Sequence, residues 1–225
     1  MKVAVLSDVH SNLHALQAVL ADVDAKGFKQ MLCPGDIIGY GAFPNEAVAL
    51  VRQRCRTAIC GNHDRAVIKI NTAGMNPMAA SAVLWTAKNV TAEAVDYLGT
   101  LKSHAVATED GRAIALFHGS PRDDDEYVYE ADASADLLEM ARAEILVMGH
   151  THVPFVRRLE KGLIVNAGSV GQPRDGDPRA CYVVIETSDL SATIVRVEYD
   201  TKAAAQAIID AGLPHFLGNR LLSGI

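Results

Sequence analysis

No Cys-x-x-Cys pair, no block of basic residues, no apolar run of transmembrane length and no internal repeat occurs in this sequence. Each absence removes a class of protein. The four cysteines, Cys33, Cys55, Cys60 and Cys181, are scattered, with Cys33 and Cys60 inside apolar runs. Buried reduced thiols of a cytoplasmic protein are therefore expected, rather than disulfides or a thiolate metal site. A net charge of -6 without a basic stripe argues against long nucleic acid as a partner, because backbone phosphates require clustered cations. Met1 to Leu6 is too short for a signal-peptide apolar region and runs straight into a charged motif. Nothing later is long enough to cross a bilayer, so no membrane partner is expected.

What is present is a series of short polar motifs, each closing an apolar run: Asp8-Val9-His10, Gly35-Asp36, Gly61-Asn62-His63-Asp64, His118 and Gly149-His150-Thr151-His152. They draw both halves of the 225 residues onto one site, which favours a single domain over 1–225. Carboxylates, an amide oxygen and imidazoles are oxygen and nitrogen donors, which suit two first-row divalent ions. Two such ions bring four positive charges, and Asp8 with Asp36 return two, leaving a surplus of about two that matches a phosphate.

The elements around the motifs follow from periodicity. Lys2 to Ser7 reads as a strand buried on both faces, with Asp8 and His10 aimed the same way beyond it. Ser11 is the expected N-cap of a helix to Lys26, with Leu13, Leu16, Val19, Leu20 and Val23 on one face. Gln30 to Cys33 and Thr57 to Cys60 are further strands, with a helix from Pro44 to Arg54 between them. Residues 77–101 read as two helices broken near Val90-Thr91, a small helical cap or side layer. Asp110-Gly111 predicts a tight hairpin that delivers His118. A helix from Asp132 or Ser134 to Arg142, the strand Ile145 to Met148, two more hairpins and helices over about 202–222 complete the chain. Strands alternating with helices and then giving way to hairpins predict an α/β protein, a sandwich of two mixed sheets flanked by helices.

The order Asp-x-His, Gly-Asp, Gly-Asn-His-Asp, His, Gly-His-x-His resembles that of the calcineurin-like metallophosphoesterases. The stretch Asn166 to Arg174 is similar to the loop that closes the site in small bacterial members. The resemblance implies a four-layer αββα sandwich and two divalent ions (Mn, Fe, Zn, Co or Ni, with Mn the expected activator in vitro). It implies Asp36 as the bridge, with Asp8, His10 and His152 on one ion and Asn62, His118 and His150 on the other. His63 with Asp64 resembles the family's acid dyad, an imidazole oriented by a carboxylate that protonates the leaving oxygen while activated water attacks in line. Arg174 is the expected phosphate contact, with Asn62 and Asn12 beside it, although a helix-start hydrogen bond explains Asn12 equally well.

The Asp-Arg pair that follows the second motif in protein phosphatases is absent, since Ile37-Ile38-Gly39-Tyr40 stands there. Gly39-Tyr40-Gly41 is similar to small bacterial members acting on diesters or nucleotide anhydrides. The expected function is thus hydrolysis of small phosphodiesters or nucleotides, with a phosphomonoesterase or protein phosphatase as the alternative. A non-catalytic protein-binding scaffold is the rival of another class. Trp85 is expected in the core rather than on a substrate, the acidic run Asp123 to Glu126 with Tyr127 and Tyr129 as a solvated loop rather than a rim of the active-site entrance, and His14, His104 and His215 without function. The last residues are candidates for packing against a second copy in a homo-oligomer.

Overall fold

The computed structural model describes residues 1–225. In chain order the elements are β1 (Lys2–Val5), α1 (Leu13–Ala25), β2 (Gln30–Cys33), α2 (Pro44–Arg54), β3 (Thr57–Ala58), α3 (Asn62–Lys69), α4 (Pro77–Asn89), α5 (Ala92–Thr100), β4 (His104–Glu109) and β5 (Arg112–Phe117). They continue as α6 (Ala135–Ala141), β6 (Ile145–Met148), β7 (Phe155–Leu159), β8 (Gly162–Asn166), β9 (Ala180–Glu186), β10 (Ser191–Val197), α7 (Thr201–Asp210) and α8 (His215–Asn219). Two five-stranded sheets result, ordered β10-β9-β1-β2-β3 and β4-β5-β6-β8-β7. Both are mixed: the first is parallel across β1, β2 and β3 and antiparallel across β1, β9 and β10, and the second has a parallel centre, β5-β6-β8, with an antiparallel strand on each edge.

Period two in the strands builds the layers. Val3 and Val5 of β1 point between the sheets, where they meet Leu32, Ile114, Leu116, Val147 and Val165. Ala4 and Leu6 point the other way, onto Leu16, Val19 and Val23 of α1 and Val48 and Val51 of α2. Both faces of β1 are covered, which is why its sequence is continuously apolar rather than alternating. On the far side of the second sheet, Ala115, Leu146, Met148 and Ile164 bury against Leu137 and Leu138 of α6. The order helix, sheet, sheet, helix is the four-layer sandwich expected from the sequence. Each fully buried Leu, Ile or Val contributes roughly 1.5–3 kcal/mol, so this interior holds the strand ends rigidly in place.

Val83 of α4 and Ala94 and Leu98 of α5 pack into the same cluster as α1 and α2. Trp85 donates Nε1–H to the Ala211 carbonyl at 2.8 Å and packs among α4, α7 and α8, a structural role. The hairpin turn has Asp110 and Gly111 both at positive φ, 50° and 78°, as a two-residue primed turn requires. No helix is long and apolar enough to cross a membrane.

Three local expectations are corrected. Asn12, not Ser11, caps α1, its Oδ1 accepting from Ala15 N at 3.1 Å; Ser11 instead sits at φ 56° with its amide bonded to the Ile37 carbonyl. β3 stops at Ala58, because the Cys60 amide leaves the sheet for the Lys102 carbonyl. The helix expected to end at Arg142 is the short α6, preceded by a single 3-10 turn at Glu130–Asp132. Ser134 does occupy the N-cap position, but its hydroxyl is bound to Asp136 and makes no capping hydrogen bond to the backbone.

Candidate metal centre

The predicted ligands follow the carboxyl ends of β1, β2, β5 and β6, or open α3, and the backbone ties these loops to one another before any side chain acts. Asp8 N bonds Gly35 O at 3.1 Å, His10 N bonds Asp36 O at 3.0 Å and Gly149 N bonds His118 O at 3.0 Å. Val170 N and Gly171 N bond Ser7 O and Asp8 O, both at 2.9 Å, so the glycine-rich loop closes on the first motif. Packing at the junction is tight. A Cβ on Gly35 would lie 2.7 Å from Gly61 N, and Gly35 itself is at φ 102°, so only glycine fits there.

Left-handed backbone concentrates at this spot. Asp8, His10, Asp36, His150 and His152 all have φ between 49° and 67°, conformations that non-glycine residues adopt at a cost of order 1–3 kcal/mol. From this kinked backbone Asp8 and His10 converge on one cluster, while His150 and His152 divide between two.

Asp8, His10 and His152 form one set of donors, and Asp36, His118 and His150 a second. Asp36 Oδ2 lies between them, 3.5 Å from His10 Nε2 and 3.3 Å from His118 Nε2. Asn62 Oδ1 joins the second set, 2.9 Å from His118 Nε2 and 3.1 Å from His150 Nδ1. All seven predicted ligands are thus brought together, and the six histidines and aspartates among them are buried.

Tautomers test whether a cation fits. His10 Nδ1 lies 3.1 Å from the Ile38 carbonyl and His152 Nδ1 2.6 Å from the Gln172 carbonyl, so both Nδ1 atoms carry the proton and both Nε2 atoms present lone pairs. Those lone pairs face each other at 3.0 Å. His118 is anchored in the same way, with Nδ1 3.0 Å from the Pro34 carbonyl, and its Nε2 faces the oxygens of Asn62 and Asp36 at 2.9 and 3.3 Å. Acceptors packed on acceptors repel unless a cation lies among them, and imidazoles anchored by carbonyls are the usual outer support of metal ligands. The donor set therefore fits two divalent ions.

Electrostatics agree. Burial pushes His10 well down and His150 to about 4, so these ligands are neutral imidazoles at neutral pH. Burial raises Asp36, but His118 and the other imidazoles hold it well below the usual carboxylate range. His118 differs: burial would lower it, yet Asp36 and Asp8 beside it carry it up to about 9, so without an ion its Nε2 holds a proton that a bound cation would replace.

His63 and Asp64 do not form the expected dyad. Asp64 accepts from the amides of Ile38 at 3.0 Å, Gly61 at 3.0 Å and Ile37 at 3.3 Å, which consumes its carboxylate. Burial, and then the charge of Asp36, push it up to about 7. It therefore pins the loop after Asp36 to the start of α3, while His63 Nδ1 is buried without a partner against Gly39. Adjacent residues on a helix do not face each other, which is the physical reason. Burial lowers His63 to about 4, and its ring packs against His10 at 4.9 Å and Tyr40 at 4.4 Å.

Of the expected substrate contacts, Arg174 is half-buried, with Nη2 3.0 Å from Gln172 Oε1 and 3.4 Å from the Tyr40 hydroxyl, and no carboxylate partner. Asn12 does not reach the site as a free group. Its amide donates to Gly171 O at 2.8 Å and approaches Tyr199 while its oxygen caps α1. A cleft of about 440 Å³ opens beside the second set, lined by Asn62, His63, His150, Tyr40, Arg65, Asp125 and Tyr127 among others. The acidic run is therefore not simply solvated, since Asp125 pairs with Arg65 on the cleft wall. Tyr40 was not predicted as a site residue, although it lies within the Gly-Tyr-Gly element singled out from sequence. Tyr127 belongs to the entrance rim that was the less favoured reading of the acidic run, and it does line the cleft.

A model of the calcineurin-like phosphoesterase superfamily domain matches residues 1–190. The chain is similar to an uncharacterised protein of Methanocaldococcus jannaschii, at 38% identity over 99% of this chain and 98% of the other. Its fold and sequence are similar to those of a crystallised metallophosphoesterase from Sphaerobacter thermophilus, with a TM-score of 0.87, 36% identity, and 100% and 99% of the two chains covered. A hypothetical protein from Pyrococcus horikoshii reaches the same TM-score of 0.87 at 21% identity over 100% and 98%, a likeness of fold alone.

Proposed function

The chain belongs to the calcineurin-like phosphoesterase superfamily, and from that premise we propose that it hydrolyses small phosphodiesters or nucleotides at the paired histidine-aspartate clusters. The observation that carries the reading is the pair of opposed Nε2 lone pairs, His10 on His152 at 3.0 Å, with Asp36 Oδ2 between the two clusters. In this proposal Asp8, His10 and His152 hold one divalent ion, Asn62, His118 and His150 the other, and Asp36 both. Ions there would polarise the phosphoryl oxygens and lower the pKa of a water enough for attack near neutral pH.

The remaining steps belong to side chains. Arg174, free of any carboxylate, would bind a phosphoryl oxygen through its outer nitrogens, with Gln172 and Tyr40 fixing its plane. Nδ1 of His63 is enclosed by Gly39, which leaves Nε2 for the cleft and the leaving oxygen. Burial, with the charges of Arg174 and the neighbouring imidazoles behind it, disfavours the imidazolium. The negative charge of a bound phosphate supplies the opposing influence that lets His63 carry a proton to the leaving group.

The test compares bis(p-nitrophenyl) phosphate with p-nitrophenyl phosphate, using metal-stripped protein reloaded with manganese and Asp36→Ala as the blank. Metal-dependent turnover, faster on the diester and abolished in the variant, supports the proposal. Preference for the monoester would transfer it to a phosphomonoesterase, and no turnover with any ion would favour the protein-binding scaffold.

A further inference from the structure

The cleft beside the second cluster has a wall that phosphate chemistry does not use. The Tyr127 ring lies 4.1 Å, centroid to centroid, from the ring of His150 at an angle of 44°, yet 53% of the residue remains exposed. A tyrosine at the mouth of a cleft, with half its surface open to water and one ring against a proposed ligand, is an unfilled apolar surface at the reacting centre. Ala66, Ala73, Met75 and Ala79 add small apolar surface to the same cleft. Its volume of about 440 Å³ falls within the roughly 300–1,000 Å³ typical of sites that enclose a small organic ligand.

The segment carrying Tyr127 is fixed rather than loose. Asp125 pairs with Arg65, which also donates to the Cys60 carbonyl at 3.2 Å. Glu126 accepts from Arg122 Nη2 at 2.9 Å and is bound by the Ser120 hydroxyl, and Gly119 N and Ser120 N bond the carbonyls of Asp124 and Asp123. Asp125 neutralises Arg65, so at this point the wall offers the planar Tyr127 ring rather than a second anion site.

We propose that Tyr127 is the stacking platform for a nucleobase, so that the substrate is a nucleotide whose nucleoside lies in the cleft between Tyr127 and α3 while its phosphate meets the metal clusters. This rests on the phosphoesterase reading and adds a specificity-determining residue to it. Stacking on an aromatic side chain tolerates any base, because every base has a π-face, and it strengthens binding by roughly tenfold to a hundredfold per base.

The test is calorimetric titration of the manganese-reloaded protein with adenosine 5′-monophosphate and with ribose 5-phosphate, which carry the same phosphate and sugar and differ by the base. The wild type should bind the nucleotide about tenfold or more tightly than the sugar phosphate. Tyr127→Leu should erase that ratio, and Tyr127→Phe should keep it. Equal affinities in the wild type, binding of neither compound at millimolar concentration, or an unchanged ratio in Tyr127→Leu would overturn the assignment. Binding is read without turnover, so failure to hydrolyse aryl phosphoesters would reject the phosphoesterase reading separately.

Discussion

His10 Nε2 and His152 Nε2 stand 3.0 Å apart, while the other nitrogen of each ring is committed to a backbone carbonyl, that of Ile38 and of Gln172. Two lone pairs brought this close in a buried site, with Asp8 Oδ1 3.2 Å from His152 Nε2, make a destabilised arrangement that a divalent ion relieves. The metal-free protein should therefore be distinctly less stable. At a manganese concentration a hundred times the dissociation constant, each site adds about 2.7 kcal/mol, which for a domain of this size raises Tm by roughly 5–10 °C. Differential scanning calorimetry with and without chelator measures it, and an unchanged Tm would count against the site.

His63→Ala should leave metal content intact, because none of the ligand distances involves its ring, and should reduce turnover on the order of a hundredfold or more. The loss should be smallest for leaving groups that need no proton. Rates across substituted aryl phosphoesters read this out, and a uniform loss would remove the acid role.

Asp64→Asn probes a different act. The carboxylate accepts three backbone amides; an amide in its place turns a donor toward those donors. A stability loss of about 1–3 kcal/mol is expected, together with weaker metal retention, because the loop that follows Asp36 loses its anchor. The leaving-group dependence should match that of the wild type. A dependence like that of His63→Ala would instead restore the dyad.

The cysteines should be silent in the native state. Burial pushes the Cys55 and Cys181 thiols up to about 12 and that of Cys33 well above its ordinary value, and Cys60 is raised in the same way. Thiolate is the reactive form, so a colorimetric thiol reagent at pH 8 should label all four only after denaturation. Fast labelling of any of them in the native protein, the half-buried Cys55 included, would contradict this packing.

The sequence made the layered fold readable because continuous apolar strands, amphipathic helices and the Asp110-Gly111 turn are local signals. The ligands were readable for a related reason, since each directly follows a strand or opens a helix. What escaped depends on distance along the chain. Asp64 acts on amides 26 and 27 residues away, and Tyr127 meets a histidine on another strand end. Neither relationship leaves a local pattern. The adjacency of His63 and Asp64 misled in the other direction, because helical neighbours project apart. Gly39 became intelligible only in three dimensions, where a Cβ would lie 2.7 Å from His63 Nδ1.

The most direct measurement is a manganese titration of metal-stripped protein, following bound metal and hydrolysis of bis(p-nitrophenyl) phosphate in the same samples. The account predicts two ions per chain, with turnover appearing as the second site fills and neither second-site binding nor turnover in Asp36→Ala. Saturation at a single ion, or full turnover without added metal, would contradict it.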